Sequence, residues 1–188
     1  MSAELNIATF LTWLRIAAIP LFALVFYLPP GELMRPAACV IFTIAGLTDW
    51  LDGYLARRLN LLSKFGAFLD PVADKLMVTL TLVIIVQADP KWYIALTAAI
   101  IIGREFTISA LREWMAEIGA RNIVAVTGIG KIKTIMQMVG LGMMIWKYPL
   151  VGIPIYEIGM ALLIISAGLT LYSMFGYIRS AWPTLRES

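Results

Sequence analysis

The sequence contains no histidine and only one cysteine, Cys39. Without histidine there is no serine–histidine or cysteine–histidine nucleophilic machinery and no histidine-ligated metal, so acid–base chemistry falls to carboxylates and lysines. A lone cysteine excludes an intramolecular disulfide and a thiolate zinc site. Also missing is any clustered basic run interleaved with aromatics. The 15 basic residues outnumber the 12 acidic ones by only three, a poor surface for nucleic acid, and no nucleic-acid partner is expected. The positive balance suits loops facing an anionic membrane leaflet. There is no internal repeat, inverted symmetry or low-complexity segment.

What is abundant is apolar. Hydrophobic residues make up 61% of the 188 and mean hydropathy is +0.85, against roughly 45–50% apolar content in soluble domains. A spanning helix takes about 20 residues, so six would consume about two-thirds of the chain and leave no room for a soluble domain. Pro, Gly and charged residues punctuate the apolar runs. The expected fold is therefore an all-α integral membrane protein, one membrane-embedded domain over 1–188 with six transmembrane helices near 7–28, 35–59, 65–87, 92–115, 127–146 and 154–179. The first run is apolar apart from Arg15. No basic run precedes it, and Pro29-Pro30-Gly31-Glu32 follows instead of a small-residue cleavage site, so it is expected to be a retained helix. Arg57, Arg58, Lys64, Arg121, Arg179 and Arg186 lie in the connections after the second and fourth spans and in the tail. The opposite side has only Arg35, Lys91 and Lys147, each with an acidic residue nearby. The positive-inside rule then puts both termini in the cytoplasm.

Ionisable groups inside spanning helices cost at least about 2.5–3.5 kcal/mol each, and a cluster of them marks a functional site. The stretch from Asp49 to Asp74 reads DWLDGYLARRLNLLSKFGAFLDPVAD. Asp49 and Asp52 are three apart and Asp70 and Asp74 four apart, so each pair shares a helix face. In an antiparallel hairpin both pairs meet at one depth. Four converging carboxylates need protonation, basic partners or divalent cations. With oxygen ligands alone, magnesium, manganese or calcium is favoured over zinc, and two ions would suit an in-line phosphoryl displacement. The plain alternative is interfacial ion pairing with Arg57, Arg58, Lys64 and Lys75. The same Asp spacing on both sides of one turn favours the metal. Gly53, Ala56 and Gly66 leave those faces without bulk, as close helix packing alone would also require. Pro71 is tolerable if its helix begins between 63 and 70.

Written as a pattern, the segment is Asp49-x2-Asp52-Gly53-x2-Ala56-Arg57-x8-Gly66-x3-Asp70-x3-Asp74. It resembles the full signature of the CDP-alcohol phosphotransferase family. The resemblance implies a six-helix membrane fold, usually a homodimer, with a two-metal site, Mg2+ or Mn2+, holding a CDP-linked donor near the cytoplasmic face. By position, Asp49, Asp52, Asp70 and Asp74 would ligate the metals, and Asp74 would also be the base that deprotonates the acceptor hydroxyl. Thr48, Gly53, Ala56, Arg57 and Gly66 would receive the nucleotide of the donor. The segments Asn6-x2-Thr9-x2-Thr12-x2-Arg15, GREFTISALREWMAEIG over 103–119 and GKIKTIMQM over 130–138 extend the likeness to bacterial members of the family. It thereby implies a multi-pass protein of the inner membrane, with CDP-diacylglycerol as donor, glycerol 3-phosphate as acceptor and membrane lipids around it.

The residues themselves also favour an anionic acceptor. Arg104, Arg112, Lys131 and Lys133 fall at the cytoplasmic ends of the fourth and fifth spans. Arg104 lies roughly 18 Å of helix into its span, a position that a phosphate pocket would explain. The alternative is membrane anchoring plus pairing with Glu105, Glu113 and Glu117. Other acceptors, such as inositol phosphate, serine or a phospholipid, stay open within the family. A small cation transporter would want its carboxylates at mid-membrane, usually with repeat symmetry.

Overall fold

The computed structural model describes the backbone of residues 7–28, 33–59, 64–119 and 128–187, and the side chains of 12–28, 33–48, 69, 71–119, 132–180 and 182. The described residues form six helices: α1 (Ile7–Tyr27), α2 (Met34–Leu59), α3 (Lys64–Ala88), α4 (Trp92–Glu117), α5 (Gly128–Trp146) and α6 (Ile155–Glu187). Five match the expected spans to within two residues. The sixth differs, running on through Arg179 to Glu187. The expectation ended with the apolar run, whereas a helix leaving the apolar layer keeps its backbone hydrogen bonds without needing apolar side chains.

Pro20 lies inside α1 and Pro71 inside α3. Pro71 is beyond the first turn, so it removes a ladder bond. Such losses are tolerated in membrane helices, where neighbouring helices and Ser or Thr side chains re-satisfy the freed backbone groups.

Contacts between named side chains establish the directions of the helices. Arg15 meets Asp74 in the first halves of α1 and α3, and the Tyr27 hydroxyl meets Gln87 at their ends, so these two helices run parallel. Phe22 packs on Phe42 with ring centroids 6.1 Å apart. Arg35 stacks over Phe26 at 3.8 Å, so α2 runs antiparallel to α1. The Tyr156 hydroxyl donates to Asp89 across 2.7 Å, which brings the start of α6 to the end of α3. Cys39 and Gly46 of α2 meet Gly142 and Met138 of α5 respectively. The bundle thus has two ends. The first residues of α1, α3 and α5 and the last of α2, α4 and α6 share one of them.

The larger apolar core cluster among the described residues includes Phe22, Phe42, Leu82, Ile101, Leu141 and Leu163, and a smaller one gathers Ile108, Met115 and Tyr177. α5 and α6 approach most closely at two glycines. A Cβ on Gly140 would stand 2.8 Å from the Gly159 carbonyl oxygen, and one on Gly159 would stand 2.7 Å from the Met143 Cβ. Without side chains there, backbone packs on backbone, the usual solution where lipid offers no hydrophobic drive between helices. The outer surface is also apolar. Leu24, Ile44, Val83, Leu96, Ile135 and Phe175 are each more than half exposed. Pro71–Ala88, Trp92–Glu117 and Ile155–Ser180 are long and apolar enough to cross a membrane. Thr12–Tyr27, Met34–Thr48 and Ile132–Trp146 are shorter apolar stretches. Such a surface suits lipid rather than water.

Candidate functional site

The shared end of the bundle collects the expected site residues. Arg15 Nη1 donates to Asp74 Oδ1 at 2.8 Å; the arginine side chain is 2% exposed and the aspartate 46%. From this anchor the other aspartates can be placed by register. Asp49 lies seven residues beyond Phe42 and Arg15 seven before Phe22, so the Phe22–Phe42 contact puts Asp49 at the level of Arg15. Along α3, Asp70 lies one turn below Asp74; along α2, Asp52 lies nearly one turn below Asp49. The α2 pair and the α3 pair therefore occupy matching levels at one end of the bundle. The side chains of Asp49, Asp52 and Asp70 lie outside the described residues, as do those of Gly53, Ala56, Arg57, Gly66 and Lys131.

Thr48 sits half-buried at that end, its hydroxyl 2.9 Å from the Ile44 carbonyl and 2.8 Å from that of Ala45. Its one proton is directed to its own helix, so towards a ligand it offers only lone pairs.

The donor set fits a hard divalent cation. The four aspartates lie at matching levels on α2 and α3, the sequence has no histidine, and Asp74, paired with Arg15, is 46% exposed; oxygen donors of this kind would suit a hard cation if the four side chains converge.

Next to the aspartates lies a second set of charges. The Gly46–Met138 contact puts α5 near residues 132–135 at the level of Asp49 and Asp52. Lys133 falls within that interval. It is 5% exposed, and Arg104 and Arg112 both act on it electrostatically, as does Glu105. Lys133 Nζ donates to Ser173 Oγ at 3.2 Å. Arg104 pairs with Glu105 at 2.8 Å, and Arg112 lies over the Tyr177 ring with its guanidinium carbon 5.7 Å from the centroid. Among the described residues, three cations thus face one carboxylate. Arg104 makes an ion pair with Glu105 among the described residues, and Glu105 also acts on Lys133 electrostatically. The Nε atoms of Arg104 and Arg112 are buried without a hydrogen-bond partner among the described residues, and such donors are costly unless a ligand or water satisfies them.

Three participants were given no role from the sequence. Arg15 stood out as the one charge in an otherwise apolar span, which signals function, but its partner Asp74 was not legible there. Ser173 and Tyr177 carry no such signal, since both residue types are ordinary at helix interfaces. Two cavities among the described residues open at the opposite end. One of about 380 Å3 is lined by Tyr27, Arg35, Gln87, Lys147 and Tyr148, among others. Tyr27 is twelve residues, or roughly 18 Å of helix, from Arg15. At the aspartate end most of the side chains that would wall a cavity are outside the described residues, so the cavity positions do not argue against the site.

The CDP-alcohol phosphatidyltransferase family matches residues 5–172. A relative from Yersinia pestis (strain Pestoides F) is 48% identical over 188 residues, covering 98% of this chain and 99% of its own. One from Shigella flexneri serotype 5b (strain 8401) is 49% identical over 185 residues with the same coverage. Both are called CDP-diacylglycerol--glycerol-3-phosphate 3-phosphatidyltransferase.

Proposed function

The chain belongs to the CDP-alcohol phosphatidyltransferase family, and from that premise we propose that it transfers the phosphatidyl group of CDP-diacylglycerol to glycerol 3-phosphate, giving phosphatidylglycerophosphate and CMP. Near-identical length and about half identity with relatives of that name support the reaction. The observation in this chain that carries the acceptor is the convergence of Arg104, Arg112 and Lys133 with buried donors unsatisfied. An unphosphorylated alcohol would leave those charges without a counterpart. A phosphate monoester supplies one, with Arg offering a planar fork and Lys a mobile point charge.

In this reading Asp49, Asp52, Asp70 and Asp74 would hold two Mg2+ or Mn2+ ions, which when bound would neutralise the donor pyrophosphate and stabilise departing CMP. Thr48, Gly53, Ala56, Arg57 and Gly66 receive the cytidine nucleotide. Lys131 joins Arg104, Arg112 and Lys133 around the acceptor phosphate. Asp74, held by Arg15, accepts the proton of the glycerol 3-phosphate 1-hydroxyl. That oxygen attacks the β-phosphorus in line, and the bond to the CMP oxygen breaks. No covalent enzyme intermediate is required.

All six helices span the membrane in this proposal. α1, α2 and α5 reach spanning length through their charged ends, and it is those ends that carry the chemistry. Both termini and the site face the cytoplasm of a bacterial inner membrane, and the active form is a homodimer. The test is CMP release by the purified protein from CDP-diacylglycerol across a panel of acceptors. Release dependent on glycerol 3-phosphate supports the reading; release with serine or inositol phosphate instead overturns it. Crosslinking in membranes tests the dimer.

A further inference from the structure

Ser166, Thr170, Ser173 and Tyr177 recur along α6 at intervals of four, three and four, which puts them on one helix face. In a helix that otherwise presents apolar residues, this face is turned inward. Ser166 and Thr170 are fully buried and Tyr177 is nearly so. It packs against α4 and α5 where the three cations gather, and each contact has a definite direction. The Ser166 hydroxyl donates to the Lys133 carbonyl at 3.1 Å. Ser173 donates its single proton to the Thr170 carbonyl at 2.9 Å, which leaves its lone pairs to accept from Lys133 Nζ. The Tyr177 ring lies against the Arg112 guanidinium.

None of these α6 groups carries a charge. A carboxylate at position 173 would orient Lys133 equally well but would cancel its charge. A hydroxyl and an aromatic face orient the cations and leave the site electropositive. Moreover, three buried polar atoms around this face have no partner among the described residues: Nε of Arg104, Nε of Arg112 and Oγ1 of Thr170. Unsatisfied buried groups at a spot already rich in cations are what a polar anionic ligand would complete.

We infer that the polar stripe of α6 is a positioning surface for the acceptor, in which Ser173 orients Lys133 and Tyr177 orients Arg112 so that both, with Arg104, converge on the phosphate monoester of the incoming alcohol. The inference rests on the proposed reading that the acceptor is phosphorylated. Ser173 and Tyr177 act through the cations and touch neither the donor nor the reacting atoms. They should therefore govern acceptor affinity and leave donor handling alone.

The test uses the full-length protein in lipid nanodiscs, measuring CMP release with glycerol 3-phosphate varied at saturating CDP-diacylglycerol, and then the reverse. Ser173→Ala and Tyr177→Leu are expected to raise KM for glycerol 3-phosphate by about five- to tenfold, with kcat and donor KM within twofold of the parent. Ser173→Thr keeps the hydroxyl and Tyr177→Phe keeps the ring, so both should return KM to within twofold. Unchanged donor KM shows that the variants are folded, which a general packing defect would not allow. If Ser173→Ala and Tyr177→Leu lower kcat with acceptor KM unmoved, or if the conservative variants fail to rescue, the positioning role is overturned while the function stands. If the parent protein uses only an unphosphorylated alcohol, the proposed function and this inference fall together.

Discussion

Arg15 of α1 donates to Asp74 of α3 across 2.8 Å, with the arginine sealed at 2% exposure and the aspartate 46% exposed. One partner is anchored in packed protein while the other is half-exposed at the end of the bundle where we propose that the reaction occurs. The pairing holds Asp74 at a definite height on the bundle, because α1 touches both α2 and α3, the two helices that carry the four aspartates.

Replacing Arg15 should therefore damage turnover. Arg15→Gln removes the charge and part of the fork that holds Asp74 Oδ1. We expect kcat for CMP release to fall by at least about tenfold, the scale of losing one positioned group in proton transfer. Arg15→Lys keeps the charge without the planar donor geometry and should recover only part of the loss. Steady-state kinetics on detergent-purified protein reads both. Full activity in Arg15→Gln would show that Asp74 needs no such support.

The carboxylates themselves make a stronger prediction. Asp70→Asn and Asp74→Asn each keep shape and remove an anionic ligand, and activity should drop by about a hundredfold or more, as when a metal-site group is lost. Chelation with EDTA should abolish CMP release, and added Mg2+ or Mn2+ should restore it. Undiminished activity in either variant, or activity that survives chelation, would sink the metal-site assignment.

Helix positions were legible in the sequence because Pro, Gly and charge interrupt apolar runs wherever the chain leaves the apolar layer. The run past Arg179 was not, since nothing apolar marks a helix that continues into water. The aspartate spacing pointed to a metal site, and the resemblance of the whole Asp49–Asp74 pattern to a family signature supplied the reaction class, because these are local relationships in the chain. Arg15 with Asp74, and Ser173 with Lys133, join residues far apart in the chain through helices that need not be sequence neighbours. Periodicity reports which face is buried, not against which helix. The acceptor cations fall between these cases: Arg104 stood out by its depth in an apolar span, but its convergence with Lys133 needed the packing of α4 and α5 against α6.

The glycine contact between α5 and α6 should be sensitive to a single methyl. Gly159→Ala would bring a Cβ to 2.7 Å from the Met143 Cβ and 2.8 Å from the Gly140 carbonyl oxygen. The second of these is backbone and cannot swing away. The helices must separate, at a cost of about 1–3 kcal/mol. Thermal unfolding followed by tryptophan fluorescence should show a lower Tm. Gly168→Ala, whose Cβ would meet nothing within 4 Å, is the control and should leave Tm unchanged or slightly raised.

At the opposite end, Asp89 accepts from the Tyr156 hydroxyl at 2.7 Å and pairs with Lys91 at 3.0 Å. Burial pushes the Asp89 carboxyl up, but the hydrogen bonds from Tyr156 and Lys91 together outweigh it and hold the group below its ordinary value. The same bond to Asp89 raises Lys91. A carboxylate depressed on folding adds stability that is present above its unfolded value, about 3.9, and is lost as pH falls through the lower folded value. A raised lysine adds stability that is present below its unfolded value, about 10.4, and is lost as pH rises through the higher folded one. The connection between α3 and α4 should thus be equally stable from about pH 5 to 9. Asp89→Asn removes the ion pair and weakens the acceptor of the Tyr156 bond, worth about 1 kcal/mol, so Tm at pH 7 should fall by about 2–4 °C. As pH falls below about 4 towards the depressed value of folded Asp89, the parent progressively loses this contribution, and the gap between the two proteins should narrow. A gap that stays constant down to pH 3 would mean that the charge on Asp89 contributes nothing to holding the α3–α4 turn against α6.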